Sequence, residues 1–244
     1  MLNDDEPVGR VLTRREALAV LGASGIMVLT GRPTVAQSRI RGGSPGMCVV
    51  RAEQTEGPYF VDEKLHRSDI RSDPSNAGAV SAGALLALAF AVGRVVDGRC
   101  TPLAGAYVDV WQCDHLGVYS GVRDPRFDTA GRQFLRGYQM TDANGAARFT
   151  TVYPGWYQGR AVHIHFKIRS APTARPGFEF TSQLYFDEAL TDQVHAREPY
   201  AAKGQRNVRN ERDGIFRRQG GQGLILNVTP QGEGYAGTFD VAVA

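Results

Sequence analysis

Two histidines separated by a single residue form the strongest chemical signal in the sequence. Residues 161–168 read AVHIHFKI and alternate between polar and apolar side chains from Val162 onward. In a β-strand, this alternation places His163, His165 and Lys167 on one face and the apolar residues on the other. We therefore predict a strand whose apolar face lies in a core while the two imidazoles point together into a pocket.

Two tyrosines beside glycines add a second kind of donor. Tyr119 lies in GVYSG and Tyr157 in PGWYQGR. Phenolate oxygen is a hard anion that favours Fe(III), whereas zinc sites are usually built from cysteine, histidine and carboxylate. Each residue alone has an ordinary structural explanation, such as a surface histidine pair or a packed tyrosine. All four lie within 47 positions, with Arg160 three residues before His163, and together they indicate a metal site.

The four residues belong to a longer series of motifs that resembles the intradiol ring-cleavage dioxygenases, the non-haem iron family of catechol and protocatechuate 3,4-dioxygenases. The series begins with EQTEGPYF at 53–60 and continues through VDVWQCDHLGVYSG and GYQMTDANGAARFTTVYPGWYQGR. It ends with HIHFKI and TSQLYF. The resemblance extends from about Cys48 to the C-terminus, and the motifs occur in the order typical of the family.

The resemblance implies a ferric ion, Fe(3+), held by Tyr119, Tyr157, His163 and His165. Tyr157 would also act as a general base that takes a proton from the substrate. The implied reaction inserts both atoms of O₂ into a catechol-type ring and cleaves it between the two hydroxylated carbons. The product would be of the cis,cis-muconate type, and the implied partners are a catechol-type small molecule and O₂.

The resemblance also implies two further catalytic residues. Arg160 would stabilise negative charge on the bound substrate, because a guanidinium does not lose its own charge. Its alternative interpretation is a surface arginine in a polar loop. Gln183 matches the family's active-site glutamine, although a structural glutamine would give the same local pattern.

Substrate contacts are implied for the segment Gly57, Pro58 and Tyr59, which matches a stretch that lines the pocket in protocatechuate enzymes. Tyr59 would contact substrate there, unless it is only packed. Gln158 and Gly159 alone separate Tyr157 from Arg160, a shorter loop than in the catechol and protocatechuate enzymes. The family's substrate preference therefore does not transfer, and we expect a more open pocket that admits bulky or substituted catechols.

The N-terminal residues have the pattern of an export signal. Residues 1–36 contain the pair Arg14-Arg15, an apolar run and small residues before Gln37, which predicts a twin-arginine signal peptide. An ordinary secretory signal or an uncleaved anchor is the alternative. We expect a flexible linker over 37–46, a dioxygenase domain over 47–244, and a periplasmic or extracellular location.

Composition restricts the partners and the cysteine chemistry. The 244 residues carry a formal charge of +3 and are 42% hydrophobic, which is typical of one globular domain and gives no reason to expect nucleic acid or, after signal cleavage, membrane as a partner. Oligomeric state stays open. Three cysteines follow the signal, and an exported protein permits a disulfide. Cys48–Cys100 is favoured over Cys100–Cys113, since the latter two flank one strand-like run.

The fold class expected is all-β: an antiparallel β-sandwich with long loops and at most one or two short helices. Strands are predicted at 85–96, 106–112, 138–141, 147–152, 162–168, 183–186, 224–228 and 238–243. Residues 142–145, DANG, predict a hairpin turn, and 188–196 predict a short helix. A non-catalytic sandwich that binds aromatic or glycan polymers is the alternative function, and a zinc hydrolase is a third that the tyrosines disfavour.

Overall fold

Two β-sheets form the core of the computed structural model, which describes residues 48–243. The eleven strands among these residues are β1 (Leu85–Val96), β2 (Arg99–Pro102), β3 (Tyr107–Trp111), β4 (Arg123–Asp124), β5 (Phe127–Asp128), β6 (Arg136–Met140), β7 (Ala146–Val152), β8 (His163–Arg169), β9 (Glu179–Tyr185), β10 (Val228–Gln231) and β11 (Gly234–Val243). The α-helices of this region are α1 (Glu188–His195) and α2 (Gly214–Arg218), and 3₁₀ turns cover Ala201–Lys203, Asn210–Arg212 and Gly221–Leu224. The predicted signal peptide and linker lie outside the described residues.

The two sheets share one hydrophobic core. One sheet has the order β10-β11-β1-β2, with β7 also paired to β1, and the other has the order β6-β3-β8-β9. Phe90 of β1 and Phe166 of β8 face each other across the sheets, with ring centroids 5.2 Å apart. The predicted β-sandwich with short helices is confirmed. Its pairs are antiparallel except for β1 with β11, which run parallel.

Strand β8 is buried on both of its faces. Ile164, Phe166 and Ile168 are each 0% exposed and belong to the central core. His163 and His165, on the opposite face, are each 1% exposed. The predicted alternation is therefore correct, and other residues cover the polar face of β8 as well as its apolar face.

Two local predictions are wrong. The turn at 142–145 closes through Gly145 N–H donating to the Asp142 carbonyl at 2.9 Å, but it does not join a hairpin. Strand β6 pairs with β3 and strand β7 pairs with β1, so the turn carries the chain from one sheet to the other. Residues 224–227 do not form a strand: the segment bridges β9 only at the pair Tyr185–Ile225, and strand β10 begins at Val228. The short helix predicted at 188–196 is present as α1.

A disulfide ties the start of the described chain to the first sheet. Cys48 is bonded to Cys100 of β2, across 52 residues of sequence, which is the pairing favoured from the sequence. Cys113 is buried and free. Within residues 48–243, no helix is long and apolar enough to cross a membrane.

Candidate metal centre

Four aromatic side chains form a closed cycle at one end of β8. Neighbouring ring centroids are 5.8 Å apart from Tyr119 to Tyr157, 5.6 Å from Tyr157 to His163, 4.7 Å from His163 to His165 and 6.2 Å from His165 back to Tyr119. The interplanar angles lie between 63° and 77°, so the rings meet edge to face. The four residues predicted as ligands are thus brought together.

Three separate segments position these rings. Strand β8 supplies both histidines one pleat repeat apart. Tyr119 follows a turn in which the Asp114 carboxylate accepts hydrogen bonds from the backbone N–H groups of Leu116 and Val118, each at 2.9 Å. Tyr157 comes from the loop between β7 and β8. The turn closed by Asp114 and the alternation of β8 therefore position three of the four rings.

The protonation of His163 follows from its partner. Its Nδ1 lies 2.6 Å from the Ala161 carbonyl oxygen, which can only accept, so Nδ1 must carry the proton. The Nε2 lone pair then faces His165 Nε2 at 3.0 Å and Tyr157 Oη at 3.2 Å. Burial, with the nearby Arg160 charge, lowers the pKa of His163 well below 6.5. It is therefore a neutral imidazole, the form that binds metals.

His165 has a similar electrostatic environment. Burial, followed by its proximity to His163 and Arg160, lowers the pKa of His165 well below 6.5. The indole of Trp111 lies parallel to its ring, with centroids 5.0 Å apart and planes inclined by 10°. Trp111 and His165 are register partners on β3 and β8, so the sheet itself places one ring on the other.

The buried hydroxyl of Tyr119 suits a metal ligand. Its hydroxyl is buried without a well-formed hydrogen bond among the described residues. Burial, with the neighbouring phenol of Tyr157, raises the pKa of Tyr119 well above 10. Burying an unsatisfied hydroxyl costs about 1–3 kcal/mol. A bound cation would occupy the oxygen lone pairs and favour the phenolate instead.

The donor set fits ferric iron. In residues 48–243, no group of three or more His, Cys, Asp or Glu side chains is placed to hold a metal. A metal at this position must therefore use the phenols as well as the two imidazoles. Two phenolate oxygens and two neutral nitrogens suit a hard trivalent ion better than zinc.

Arg160 is buried behind the cycle and is not a surface residue. It is 6% exposed. Its Nε donates to Asp213 at 2.9 Å, and its Nη2 donates to Gln183 Oε1 at 2.6 Å and to Tyr185 Oη at 3.4 Å. Gln183 in turn donates from Nε2 to the Thr55 carbonyl at 2.9 Å. Arg160 and Gln183, the two further residues predicted to be catalytic, thus lie in one hydrogen-bonded group beside the histidines.

The segment predicted to line the pocket packs against the cycle. Gly57 has φ +71°, and a Cβ there would lie 3.2 Å from His165 Cε1. Tyr59 stacks on Tyr119 with centroids 4.5 Å apart, and its hydroxyl donates to Asp124 at 2.7 Å. Pro58, between them, is exposed. Backbone at Gly57 and an aromatic face at Tyr59 therefore form one wall of the site.

Two residues of the site were not found from the sequence. Asp213 is 0% exposed and contacts Arg160, and Tyr185 is 0% exposed and joins Arg160 to Gln183. A signal for Asp213 exists, since an aspartate directly before a short apolar helix is a typical N-cap. Its distance of 53 residues from Arg160 leaves no local pattern that pairs the two. Tyr185 lies within the TSQLYF motif itself.

Comparison with known proteins identifies similar chains. A family model described as Dioxygenase matches residues 55–211. The chain is 34% identical over 104 residues to chlorocatechol 1,2-dioxygenase of Pseudomonas putida, an alignment covering 35% of this chain and 36% of that protein. It is 30% identical over 168 residues to the protocatechuate 3,4-dioxygenase beta chain of Burkholderia cepacia, covering 62% of each. The chain thus spans between about a third and three fifths of these two curated relatives.

A solved structure matches over more of its length. An intradiol ring-cleavage dioxygenase from Tetranychus urticae is 34% identical, with a TM-score of 0.68. The match covers 80% of this chain and 94% of that one.

Proposed function

Because the chain belongs to the intradiol ring-cleavage dioxygenase family, we propose that it is a non-haem Fe(III) enzyme that oxidises catechol-type rings. Both atoms of O₂ enter the product, and the carbon–carbon bond between the two hydroxylated carbons breaks. The product is a cis,cis-muconate-type dicarboxylic acid, and no external reductant is required. The observation that carries this proposal is the closed cycle of two phenols and two imidazoles.

Tyr119, Tyr157, His163 and His165 would hold the metal. A bound ferric ion supplies Lewis acidity that favours the catecholate form of the substrate. The two neutral imidazoles add no charge, so the phenols must supply the negative charge that balances the ion. The Ala161 carbonyl keeps the His163 proton on Nδ1 and so keeps Nε2 free to bind.

Tyr157 is the candidate general base. It is 8% exposed, whereas Tyr119 is 0% exposed and each histidine is 1% exposed. It is therefore the ring in the cycle that a substrate entering from solvent would reach first. We assign its Oη the role of accepting one proton from a substrate hydroxyl.

Arg160 stabilises negative charge on the catecholate ring. Burial alone would lower its pKa, but the interactions with Tyr157, Tyr185 and Asp213 outweigh burial and raise the pKa of Arg160 above the ordinary value of 12.5. The guanidinium is therefore charged throughout the working pH range. A fixed cation in a dry site stabilises developing charge far more than it would in water.

Oxygen uptake tests the reaction. The iron-loaded protein should consume O₂ with at least one of catechol, protocatechuate, a chlorocatechol and hydroxyquinol, and mass spectrometry should find the ring-opened product with two added oxygen atoms. The short loop between Tyr157 and Arg160 leads us to expect the highest rates with substituted rings. Iron uptake without oxygen consumption on any of these would contradict the proposal and favour a binding module.

Visible absorption tests the ligand set. Phenolate-to-Fe(III) charge transfer should give a broad visible band. Tyr119→Phe and Tyr157→Phe should each shift or weaken that band, because each removes one phenolate donor. Tyr138→Phe is the control, since Tyr138 stacks on His66 and Tyr107 outside the cycle. An unchanged band in both ligand variants would refute the assignment.

We also propose that the protein is exported through the twin-arginine route. The Cys48–Cys100 disulfide supports this, because such bonds persist in oxidising compartments. Replacing Arg14 and Arg15 with lysines should leave the precursor in the cytoplasm, since the receptor reads the arginine pair. Undiminished export of that variant, measured by cell fractionation, would favour the general secretory route.

A further inference from the structure

A buried carboxylate lies directly behind Arg160. Asp213 is 0% exposed and lies two residues beyond the segment that the family model matches. Its Oδ2 accepts from Arg160 Nε at 2.9 Å and from the Ala161 backbone N–H at 2.8 Å. Its Oδ1 accepts from the N–H groups of Ile215 and Phe216 at 2.8 and 3.0 Å. One side chain therefore joins helix α2 to the site.

The two carboxylate oxygens of Asp213 have different partners and different roles. Oδ1 alone caps helix α2, as a helix N-cap requires. Asp187, the N-cap of helix α1, is exposed and caps with one bond to Leu190 at 2.8 Å. Capping therefore explains neither the burial of Asp213 nor the direction of Oδ2.

A second nitrogen of Arg160 is also held. Its Nη2 donates to Gln183 Oε1 and Tyr185 Oη, and Gln183 is locked by its own bond to the Thr55 carbonyl. With Nε on Asp213, two of the three guanidinium nitrogens are engaged. Nη1 makes no hydrogen bond to any residue that the structure describes, so it is the nitrogen left to face a substrate.

We propose that Asp213 is a positioning residue that acts through Arg160, orienting the guanidinium so that Nη1 faces the reacting ring. The proposal rests on the proposed function. A planar guanidinium held at Nε and Nη2 cannot rotate, and such partners behind a catalytic group fix its geometry. The same Oδ2 also anchors Ala161, whose carbonyl orients His163, so the arginine effect must be separated from a metal effect.

A double-mutant cycle makes that separation. In Asp213→Asn, the amide keeps one oxygen for helix α2 but turns its NH₂ toward the N–H of Arg160, a donor against a donor. We expect kcat/KM to fall about 10- to 100-fold, mainly in kcat, with iron retained. In an Arg160→Ala background the same change should cost less than about twofold further, because a residue acting through Arg160 has nothing left to orient. Asp187→Asn is the cap control and should keep wild-type kinetics.

Three results would overturn the proposal. These are an equal loss in both backgrounds, loss of iron from Asp213→Asn, and wild-type kinetics in Asp213→Asn. If Asp213→Asn does not fold, Asp213→Glu serves instead, because it keeps the charge but displaces the carboxylate. It should lower kcat in the wild-type background and not in Arg160→Ala, and an equal loss in both would again count against the proposal.

A spectroscopic readout separates this inference from the proposed function. In gallium(III)-loaded protein, a diamagnetic stand-in for the ferric form, the Arg160 Nε–H should exchange slowly with solvent and shift on Asp213→Asn. An unchanged signal would contradict positioning whether or not the wild type is active. Conversely, absence of oxygen uptake by the wild type, with the signal shifted as expected, would remove the proposed reaction and leave the structural coupling standing.

Discussion

The site combines residues that are each unfavourable on their own. The Tyr119 hydroxyl has no well-formed hydrogen bond within residues 48–243, and the imidazoles of His163 and His165 are uncharged and buried. Burying such polar groups lowers stability. The surrounding contacts offset this cost, with Tyr59 stacked on Tyr119 and Trp111 stacked on His165. Such an arrangement is expected where a metal supplies the missing interactions.

Variants of Arg160 distinguish an electrostatic effect on turnover from an effect on metal binding. Arg160→Ala should keep iron and colour, because the guanidinium is not a donor to the metal. Removing one electrostatic donor from a dry site should lower kcat by about 10²–10³. Arg160→Lys should recover part of the rate, since it restores the charge without the planar fork.

Oxygen-consumption kinetics beside an iron assay measure this effect. Arg206→Ala is the control, because Arg206 is also a buried guanidinium but pairs with Glu188 and Asp192. It should lose stability without losing turnover at full iron occupancy. Turnover of Arg160→Ala within a few-fold of wild type would show that Arg160 is structural.

At the scale of elements, the two faces of strand β8 have different roles. We expect the apolar face to stabilise the fold and the histidine face to bind the metal. His163→Ala and His165→Ala should each lose iron with little loss of fold, since the core face is unchanged. Ile164→Ala should do the reverse and lower the free energy of unfolding by about 2–5 kcal/mol while keeping iron in the folded protein. Metal analysis and thermal denaturation measure both. Full iron content in either histidine variant would contradict the convergent-imidazole interpretation.

A substitution at Gly57 tests how closely the backbone must approach the proposed metal ligand His165. Gly57→Ala should be strained at φ +71° and should also press a methyl group on His165. Gly98 has the same φ of +71° with no atom within 4 Å of an added Cβ, so Gly98→Ala isolates the strain. We expect both variants to lose about 1 kcal/mol of unfolding free energy, and only Gly57→Ala to alter the visible band. If the two variants have the same visible band, the contact between Gly57 and His165 does not affect the metal environment.

Local patterns predicted the elements well and their partners poorly. The alternation around His163 and the tyrosine motifs predicted the four residues that form the cycle. The turn at 142–145 has the residues of a hairpin, but pairing is decided by what each strand meets, and β6 and β7 meet different sheets. Asp213 was missed for the same reason, because its bond to Arg160 depends on packing of helix α2 and not on neighbouring residues.

At the scale of the whole molecule, one covalent bond and one parallel strand pair hold the termini of the domain to the sandwich. Strand β11 lies parallel to β1 over nine register pairs, Leu86–Tyr235 to Arg94–Val243. The Cys48–Cys100 bond attaches the N-terminal end to β2 in the same sheet. A loop of this length should contribute about 4 kcal/mol of stability by restricting the unfolded chain. Reduction should therefore lower the unfolding midpoint without removing the metal site.

Thiol counting tests this organisation. Cys113 is buried, and burial, with the nearby Asp114 charge, raises its pKa from 9.0 to about 12. The thiolate is the reactive form, so native protein at pH 8 should show no thiol reactive toward iodoacetamide. The raised pKa of Cys113 in the folded protein also contributes to stability. This contribution is present below pH 9 and is lost as the pH rises toward 12.

The number of labelled thiols also tests the disulfide. Denatured, unreduced protein should show one labelled thiol, and denatured, reduced protein should show three. Cys113→Ala should abolish the single label, and three labels without reductant would disprove the disulfide.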